Sequence, residues 1–189
     1  MVNISWIFIV LMKSDYGIEY LLIAIDASKE EIPNLKEDRE IFASSSNQHS
    51  KTGPVQALVS GMYDILNQFY LDVEIGHICD SENELAKQNL KHLKEMGIRQ
   101  LVAAVFDRGY PSLEFIDFLK AEGIHYLIRL SSNDYMAERG QIHSEDEEVI
   151  LKHTTAHLQK IHKNHLEQYE HMKKKGETLV RISKSVLPC

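Results

Sequence analysis

Two aspartates, Asp26 and Asp107, each follow a short apolar segment that is typical of a buried β-strand. The segment at 101–106 (LVAAVF) leads directly into Asp107, and the segment at 19–27 (EYLLIAIDA) ends around Asp26. In open α/β sheets, ligands bind at the carboxyl ends of the strands, so each aspartate is a candidate metal ligand or catalyst. The alternative is that each carboxylate only caps the turn or helix that follows it.

The two aspartates could also act as a pair. If their strands are neighbours in one sheet, a strand spacing of about 4.8 Å brings the carboxylates close together. Two carboxylates that close repel each other unless a cation lies between them. Two-metal phosphoryl-transfer sites use this arrangement, with ions about 3.5–4 Å apart, and hard oxygen ligands favour Mg²⁺ or Mn²⁺ over zinc. A site for Mg²⁺ or Mn²⁺ at Asp26 and Asp107 is therefore one interpretation, beside the capping alternative.

The segments around these aspartates predict an α/β fold. Residues 55–66 and 69–78 are expected to pair as antiparallel strands, with a turn at Asn67 and Gln68. Apolar residues alternate along 71–78, which predicts a strand with one solvated face. Along the chain, this hairpin comes after the strand that ends at Asp26 and before the strand that ends at Asp107.

Two helices are predicted from their start and stop signals. The segment from Ser81 to Met96 begins with a capping-box pattern, Ser81 with Glu84, and is followed by a glycine. The second helix, 113–122, follows Ser112, and a buried strand at 124–130 comes after it. A right-handed crossover would make this strand parallel to the strand before Asp107, in a mixed sheet with helices packed on it.

The two ends of the chain are harder to place. The apolar run at 6–12 is too short to span a membrane, so 1–16 is either a buried strand or a start inside a longer reading frame. Residues 149–175 are predicted to be helical, and 177–187 to form a last strand. An element that ends without a partner strand suggests truncation.

Other polar residues have plainer interpretations. His153 and His157, and likewise His162 and His165, have spacings that zinc-binding helices also show, but the polar segment favours a solvated helix face. The serines that follow the two aspartates, at 28 and 112, are expected to be caps rather than nucleophiles, because no His/Asp relay accompanies them.

Composition limits the protein class. The 189 residues allow one domain with an appendage, and a net charge of −7 differs from the basic footprint of a stand-alone nucleic-acid binder. It is compatible with an enzyme that acts on nucleic acid through metal ions. The two cysteines, at 79 and 189, form no disulfide framework, so a reducing cytoplasm is expected.

Several segments in order resemble the DDE transposases of bacterial insertion sequences. The segments VFDRGYPS (105–112) and IHYLIRL (124–130) resemble the region of the family's second aspartate. The segment EYLLIAIDASKEEIPN (19–34) is similar to the first-aspartate segment, and MYDILNQFYLDVEI (62–75) and the helix at 84–93 extend the resemblance. It implies a ribonuclease-H-like α/β fold, with a core at 17–132, a partial inserted segment at 133–189, and an uncertain segment at 1–16.

The resemblance also implies a function. The family cuts DNA at transposon ends and joins the 3′ hydroxyl to target DNA, using two divalent ions, Mg²⁺ or Mn²⁺. Carried over by position, Asp26 and Asp107 are the first and second metal-binding carboxylates, and Arg108 either meets a DNA phosphate or is structural. Alternation along 124–130 puts Arg129 on a face that either lines the site and contacts DNA or is capped by solvent at the sheet end. Tyr110 either packs beneath the site or contacts the DNA backbone. The expected partners are transposon ends, target DNA and a homo-oligomer partner, with no membrane.

Three departures from the family pattern affect this expectation. The glycine that commonly follows the first aspartate is Ala27 here, and only about 25 residues precede that aspartate, where the family has a long DNA-binding region. The third carboxylate, a glutamate in a Tyr-x-x-Arg-x-x-x-Glu pattern, has no match around Tyr135 or Tyr169. An inactive or partial copy, truncated before the third acidic residue, is therefore expected. A metal-dependent nuclease and a non-catalytic interaction protein derived from a transposase are the alternatives.

Overall fold

The computed structural model describes residues 3–10, 20–42, 53–98, 101–159, 161 and 166–187. The chain divides into two compact units, one formed by residues 21–100 and the other by residues 1–20 together with 101–189. We call them the central unit and the terminal unit. This division does not address the domain boundaries expected at 16/17 and 132/133, which stay predictions.

From Phe69 onwards, the described strands and helices alternate along the chain. Their bounds, in chain order, are β1 (Asn3–Val10), β2 (Tyr20–Glu31), α1 (Lys36–Phe42), β3 (Gln56–Asp64), β4 (Phe69–His77), α2 (Glu82–Glu95), β5 (Leu101–Phe106), α3 (Leu113–Ala121), β6 (His125–Leu130), α4 (Met136–Arg139), β7 (Asp146–Lys152), α5 (Leu166–Lys175) and β8 (Glu177–Leu187). None of the helices in the described part of the chain is long and apolar enough to cross a membrane.

The central unit is an antiparallel meander with a helix on one face. The strand order is β4-β3-β2, and α2 packs on β3 and β4. This confirms the predicted hairpin and its turn, where Gln68 has a left-handed backbone (φ 62°). The buried side chains between the sheet and α2 include Ile25, Met62 and Leu90, which form the core of this unit.

The polarity of β4 is opposite to that of a usual half-buried strand, because its polar face packs on the helix. Val73 and Ile75 are 49% and 59% exposed, whereas the side chains of Asp72 and Glu74 are only 17% and 18% exposed, beside His92 of α2. The predicted alternation with one solvated face is confirmed, and the solvated face is the apolar one. A period of two assigns residues to two faces without saying which one packs on the helix.

The terminal unit contains a five-stranded mixed sheet in the order β5-β6-β1-β8-β7. β5 and β6 are parallel and joined by α3, as predicted, and the other pairs are antiparallel. Together with the meander of the central unit, this confirms the predicted α/β class with a mixed sheet flanked by helices. The elements and their chain order are consistent with a ribonuclease-H-like fold.

Two expectations for the C-terminal part are wrong. Residues 149–175 are not one helix, because Val149 and Leu151 belong to β7 and are buried at a period of two. β8 does have partners, since it pairs with both β1 and β7. For residues 1–16, the strand interpretation holds at β1, which lies between β6 and β8.

The helix starts follow the sequence signals in different ways. Ser112 caps α3 by accepting a hydrogen bond from the Phe115 N–H, at 3.2 Å. Ser81 occupies the N-cap position of α2, but its side chain makes no cap hydrogen bond, so the capping box does not form. Ser28 is not a cap, because β2 continues through it to Glu31.

Candidate active site

Asp107 lies where sequence reasoning placed it, directly after β5. Its side chain is 61% exposed, and the chain turns after it through the Tyr110 N–H to Asp107 carbonyl hydrogen bond, at 3.3 Å. The Ser112 hydroxyl, and not the Asp107 carboxylate, accepts the hydrogen bond that caps α3. This removes the capping explanation for Asp107 at the α3 N-terminus and leaves its carboxylate facing solvent.

Two arginines lie beside the Asp107 carboxylate. Arg108 Nε and Arg129 Nη1 are each 3.9 Å from Asp107 Oδ1, and both arginine side chains are about half exposed. These distances lie within ion-pair range but are too long for hydrogen bonds, so neither guanidinium uses an N–H donor on the carboxylate. Guanidinium groups match phosphate oxygens in geometry and charge. The terminal unit therefore brings together three of the five predicted site residues.

Tyr110 has a different environment from these residues. Its side chain is fully buried, with ring centroids 5.2 Å from Phe106 and 5.7 Å from Phe115. The ring packs beneath the Asp107 turn, between β5 and the start of α3. This geometry supports the packing alternative, since a buried ring presents no surface to a DNA backbone.

Asp26 is not at a strand end. It lies in the middle of β2, which continues for five more residues because its backbone pairs with β3 as far as Glu31. The carboxylate is exposed and accepts the Ala27 N–H at 2.9 Å, and Gly61 is its register partner in β3. Polar residues after Asp26 suggested that the strand had ended, but they lie on a solvated strand.

A groove of about 370 Å³ opens on the Asp26 face of the central unit. Its walls include the register partner Gly61 and the rings of Tyr63 and Tyr70, which meet edge to face at 5.2 Å between centroids. A Cβ at position 61 would lie 2.7 Å from the Tyr70 ring, so the absent side chain lets that ring lie across β3. Asp26 thus lines a shallow groove with aromatic walls.

The predicted pairing of Asp26 with Asp107 joins residues of different units. Asp26 belongs to the central unit and Asp107 to the terminal unit. Each carboxylate is exposed within its own unit and is therefore accessible to a cation. Their approach to one another stays a prediction.

Sequence reasoning missed a second group of candidate ligands. In the central unit, His92 Nδ1 lies 2.8 Å from Glu74 Oε1 and 3.2 Å from Asp72 Oδ2. The hydrogen bond with Asp72 is the main cause that raises the pKa of His92 above its usual value. The alternation of β4 was the available signal, since it places both carboxylates on one face, but no sequence pattern identified α2 as their neighbour.

Two of the histidines weighed as zinc ligands have other roles. His153 Nδ1 lies 2.6 Å from the Met172 carbonyl, and its Nε2 lies 2.9 Å from Thr178 Oγ1. A carbonyl only accepts, so the Nδ1 proton is donated to it and both ring nitrogens are engaged. His157 donates from Nδ1 to the Lys152 carbonyl at 2.8 Å, and neither residue lies on a helix. His162 and His165 lie outside the described residues.

Comparison with known proteins identifies the family. No curated protein matches the chain. A solved structure described as a piggyBac transposase synaptic complex with hairpin DNA is similar at 12% sequence identity and a TM-score of 0.38, covering 89% of this chain. The chain spans about a third of that transposase, since 34% of the latter is covered. The family of transposase DDE domains matches residues 18–185, which include Asp26, Asp107 and both arginines. The chain therefore belongs to the transposase DDE domain family.

Proposed function

We propose that the protein is the catalytic region of an insertion-sequence transposase, which acts on transposon ends and target DNA through divalent ions held by Asp26 and Asp107. The observation that carries this proposal is the arrangement around Asp107, with an exposed carboxylate at a strand end and two guanidinium groups in ion-pair range at 3.9 Å. That arrangement combines a hard oxygen ligand with groups that bind phosphate.

The residues fit Mg²⁺ or Mn²⁺ in their chemistry. Both aspartates present exposed carboxylate oxygens, the ligand type that these ions prefer. The long distances from Asp107 to Arg108 and Arg129 leave its oxygens open to a cation. When bound, two such ions would activate water and stabilise charge on the phosphodiester oxygens.

The chain's own residues would bind and orient the DNA. Arg108 and Arg129 would each donate hydrogen bonds to phosphate oxygens beside Asp107, which fixes the scissile phosphate against that carboxylate. The buried Tyr110 ring would hold the turn that carries Asp107 and Arg108, because it packs directly below that turn. Asp26 would complete the pair from the central unit.

The finer expectations follow from the same proposal. No Tyr-x-x-Arg-x-x-x-Glu pattern occurs in the sequence. We therefore expect the chain by itself to bind divalent ions without completing strand cleavage and transfer, as a partial copy. Homo-oligomer formation and a cytoplasmic location belong to this proposal as well.

The test is calorimetric titration of Mn²⁺ into the purified chain and into Asp26→Ala and Asp107→Ala variants. A fall in the number of bound Mn²⁺ ions in both variants supports a site shared by the two aspartates. Asp38→Ala, on α1, is the matched control and should bind as the parent does. A Mn²⁺ stoichiometry that is the same in the parent and in both active-site variants would contradict the assignment.

A nicking assay on supercoiled DNA separates the remaining alternatives. A metal-dependent nuclease would nick the DNA with Mn²⁺, and Asp107→Asn would abolish the nicking. A non-catalytic partner protein would show neither nicking nor any effect of Asp107→Asn. Our proposal predicts Mn²⁺ binding without nicking.

A further inference from the structure

We propose that Asp72, Glu74 and His92 form a second divalent-cation site, of the zinc class, in the central unit. This site is separate from the proposed catalytic pair and does not depend on it. The two carboxylates come from alternate positions of β4, and the imidazole comes from the last turns of α2.

The geometry suits a single ion. One ligand atom from each of the three side chains can be chosen so that all lie within 4.8 Å of one another. His92 Nδ1 is 2.8 Å from Glu74 Oε1 and 3.2 Å from Asp72 Oδ2. Zinc binds nitrogen and oxygen ligands at about 2.0–2.2 Å, which puts the ligand atoms of a tetrahedral site about 3.3–3.6 Å apart. Only small side-chain movements would therefore seat an ion between the three atoms.

The reversed polarity of β4 is independent support. The strand turns two carboxylates, each less than a fifth exposed, towards α2 and leaves Val73 and Ile75 largely exposed. Because side chains alternate, a one-residue change of register would bury the apolar pair instead. Two partly buried carboxylates on one face repel each other and favour a cation between them. The observed face is the expected one if a cation is bound there.

A buried polar chain orients the first carboxylate. Asn89 of α2 donates from Nδ2 to Asp72 Oδ2 at 2.9 Å, and its Oδ1 accepts the Ser60 hydroxyl at 2.7 Å. Both Asn89 and Ser60 are fully buried. Residues of this kind, which fix the orientation of metal ligands, commonly accompany protein metal sites. His92, by contrast, is 46% exposed on its side chain and leaves the site open to solvent.

The ligand set indicates the class of ion. An imidazole nitrogen with two carboxylate oxygens suits Zn²⁺ or Co²⁺, whereas Mg²⁺ and Ca²⁺ prefer oxygen ligands alone. The described structure supplies three protein ligands, which leaves a coordination position for water.

The site lies on the opposite face of the sheet from Asp26. Asp26 is in register with Gly61, and Gly61 with Val73, so Asp26 shares its face with the exposed Val73. Asp72 and Glu74, the neighbours of Val73, point to the α2 face. Substitutions at one site should therefore leave metal binding at the other unchanged.

Titration of Co²⁺ into the purified chain, followed by visible absorption, tests the proposal. We expect saturable bands that Zn²⁺ abolishes by competition. His92→Gln should remove the bands, and Glu74→Gln should weaken binding about tenfold or more. Among the described hydrogen bonds, none joins Glu74 to Asn89 or Ser60. Glu74→Gln therefore leaves the hydrogen bonds that orient Asp72 in place. Circular dichroism would verify that each variant is folded.

Two controls make the result specific. His171→Gln changes an exposed histidine that faces a single carboxylate, Asp117, at 3.7 Å, and should leave the Co²⁺ bands unchanged. Asp107→Ala should also leave them unchanged, which separates this site from the proposed catalytic one. The absence of saturable bands, or bands that persist in folded His92→Gln, would overturn the proposal and assign His92 as a plain counter-ion.

Discussion

Arg129 of β6 lies beside Asp107 at the end of β5, with 3.9 Å between Arg129 Nη1 and Asp107 Oδ1. The parallel register explains this proximity. Phe106 pairs with Ile128, so the residues that follow them, Asp107 and Arg129, also lie side by side. The pairing of β5 with β6 therefore places a cation at the side of the carboxylate. A phosphate that approaches Asp107 would meet that cation.

The first prediction concerns Arg129. Arg129→Ala should weaken binding of duplex DNA and lower the slope of log affinity against log salt by about 0.9, the value expected for one lost phosphate contact. Fluorescence anisotropy at several salt concentrations measures both quantities. Arg181→Ala, which removes an arginine held by Asp146, is the control and should leave the slope unchanged. An unaltered slope in Arg129→Ala would exclude a phosphate contact.

The second prediction concerns stability in acid. Asp64 closes the β3–β4 turn by accepting the Leu66 and Asn67 N–H groups at 3.0 and 2.9 Å, and the Asn67 side chain at 2.8 Å. These bonds, chiefly that from the Asn67 side chain, hold the pKa of Asp64 below its usual value. A lowered pKa gives stability that is present above the unfolded-state value of about 3.9 and is lost as pH falls through the folded value.

Asp64→Asn should therefore lower the free energy of unfolding at neutral pH, and the difference from the parent should shrink below about pH 4. Urea unfolding followed by circular dichroism at a series of pH values measures this difference. The turn would have no role in acid stability if the difference stayed constant across the series.

The third prediction compares two serines at helix starts. Ser112→Ala removes a cap hydrogen bond to the Phe115 N–H and should cost about 1 kcal/mol. Ser81→Ala removes a side chain that makes no such bond and should change stability by less than about 0.5 kcal/mol. Chemical unfolding of the two variants measures this contrast, and equal losses would contradict the described caps.

Local sequence signals predicted much of the fold. The apolar run before Asp107, the glycines after α2 and α3, and the turn at Asn67 each act within a few residues, and the structure has the predicted element at each place. Errors arose where tertiary pairing decides the outcome. β2 extends past Asp26 because β3 pairs with it, and β7 is a strand because β8 lies beside it.

At the candidate site, too, local signals predicted some features and tertiary packing decided the others. Alternation along 124–130 placed Arg129 on a face that could line the site, and the turn signals placed Asp107 at a strand end. The choice between packing and DNA contact for Tyr110 needed the positions of Phe106 and Phe115. The Asp72–Glu74–His92 cluster joins residues about twenty positions apart through the packing of α2 on β4.

The fourth prediction separates the packing role of Tyr110 from a role in DNA contact. Tyr110→Ala leaves a cavity between Phe106 and Phe115 and should cost about 3 kcal/mol or more. Tyr110→Phe keeps the ring in place, so its DNA affinity and salt slope should equal those of the parent. Urea unfolding measures the first effect, and anisotropy measures the second. A folded Tyr110→Phe variant with a weaker DNA affinity would show that the hydroxyl reaches DNA, in conflict with its burial beneath the Asp107 turn.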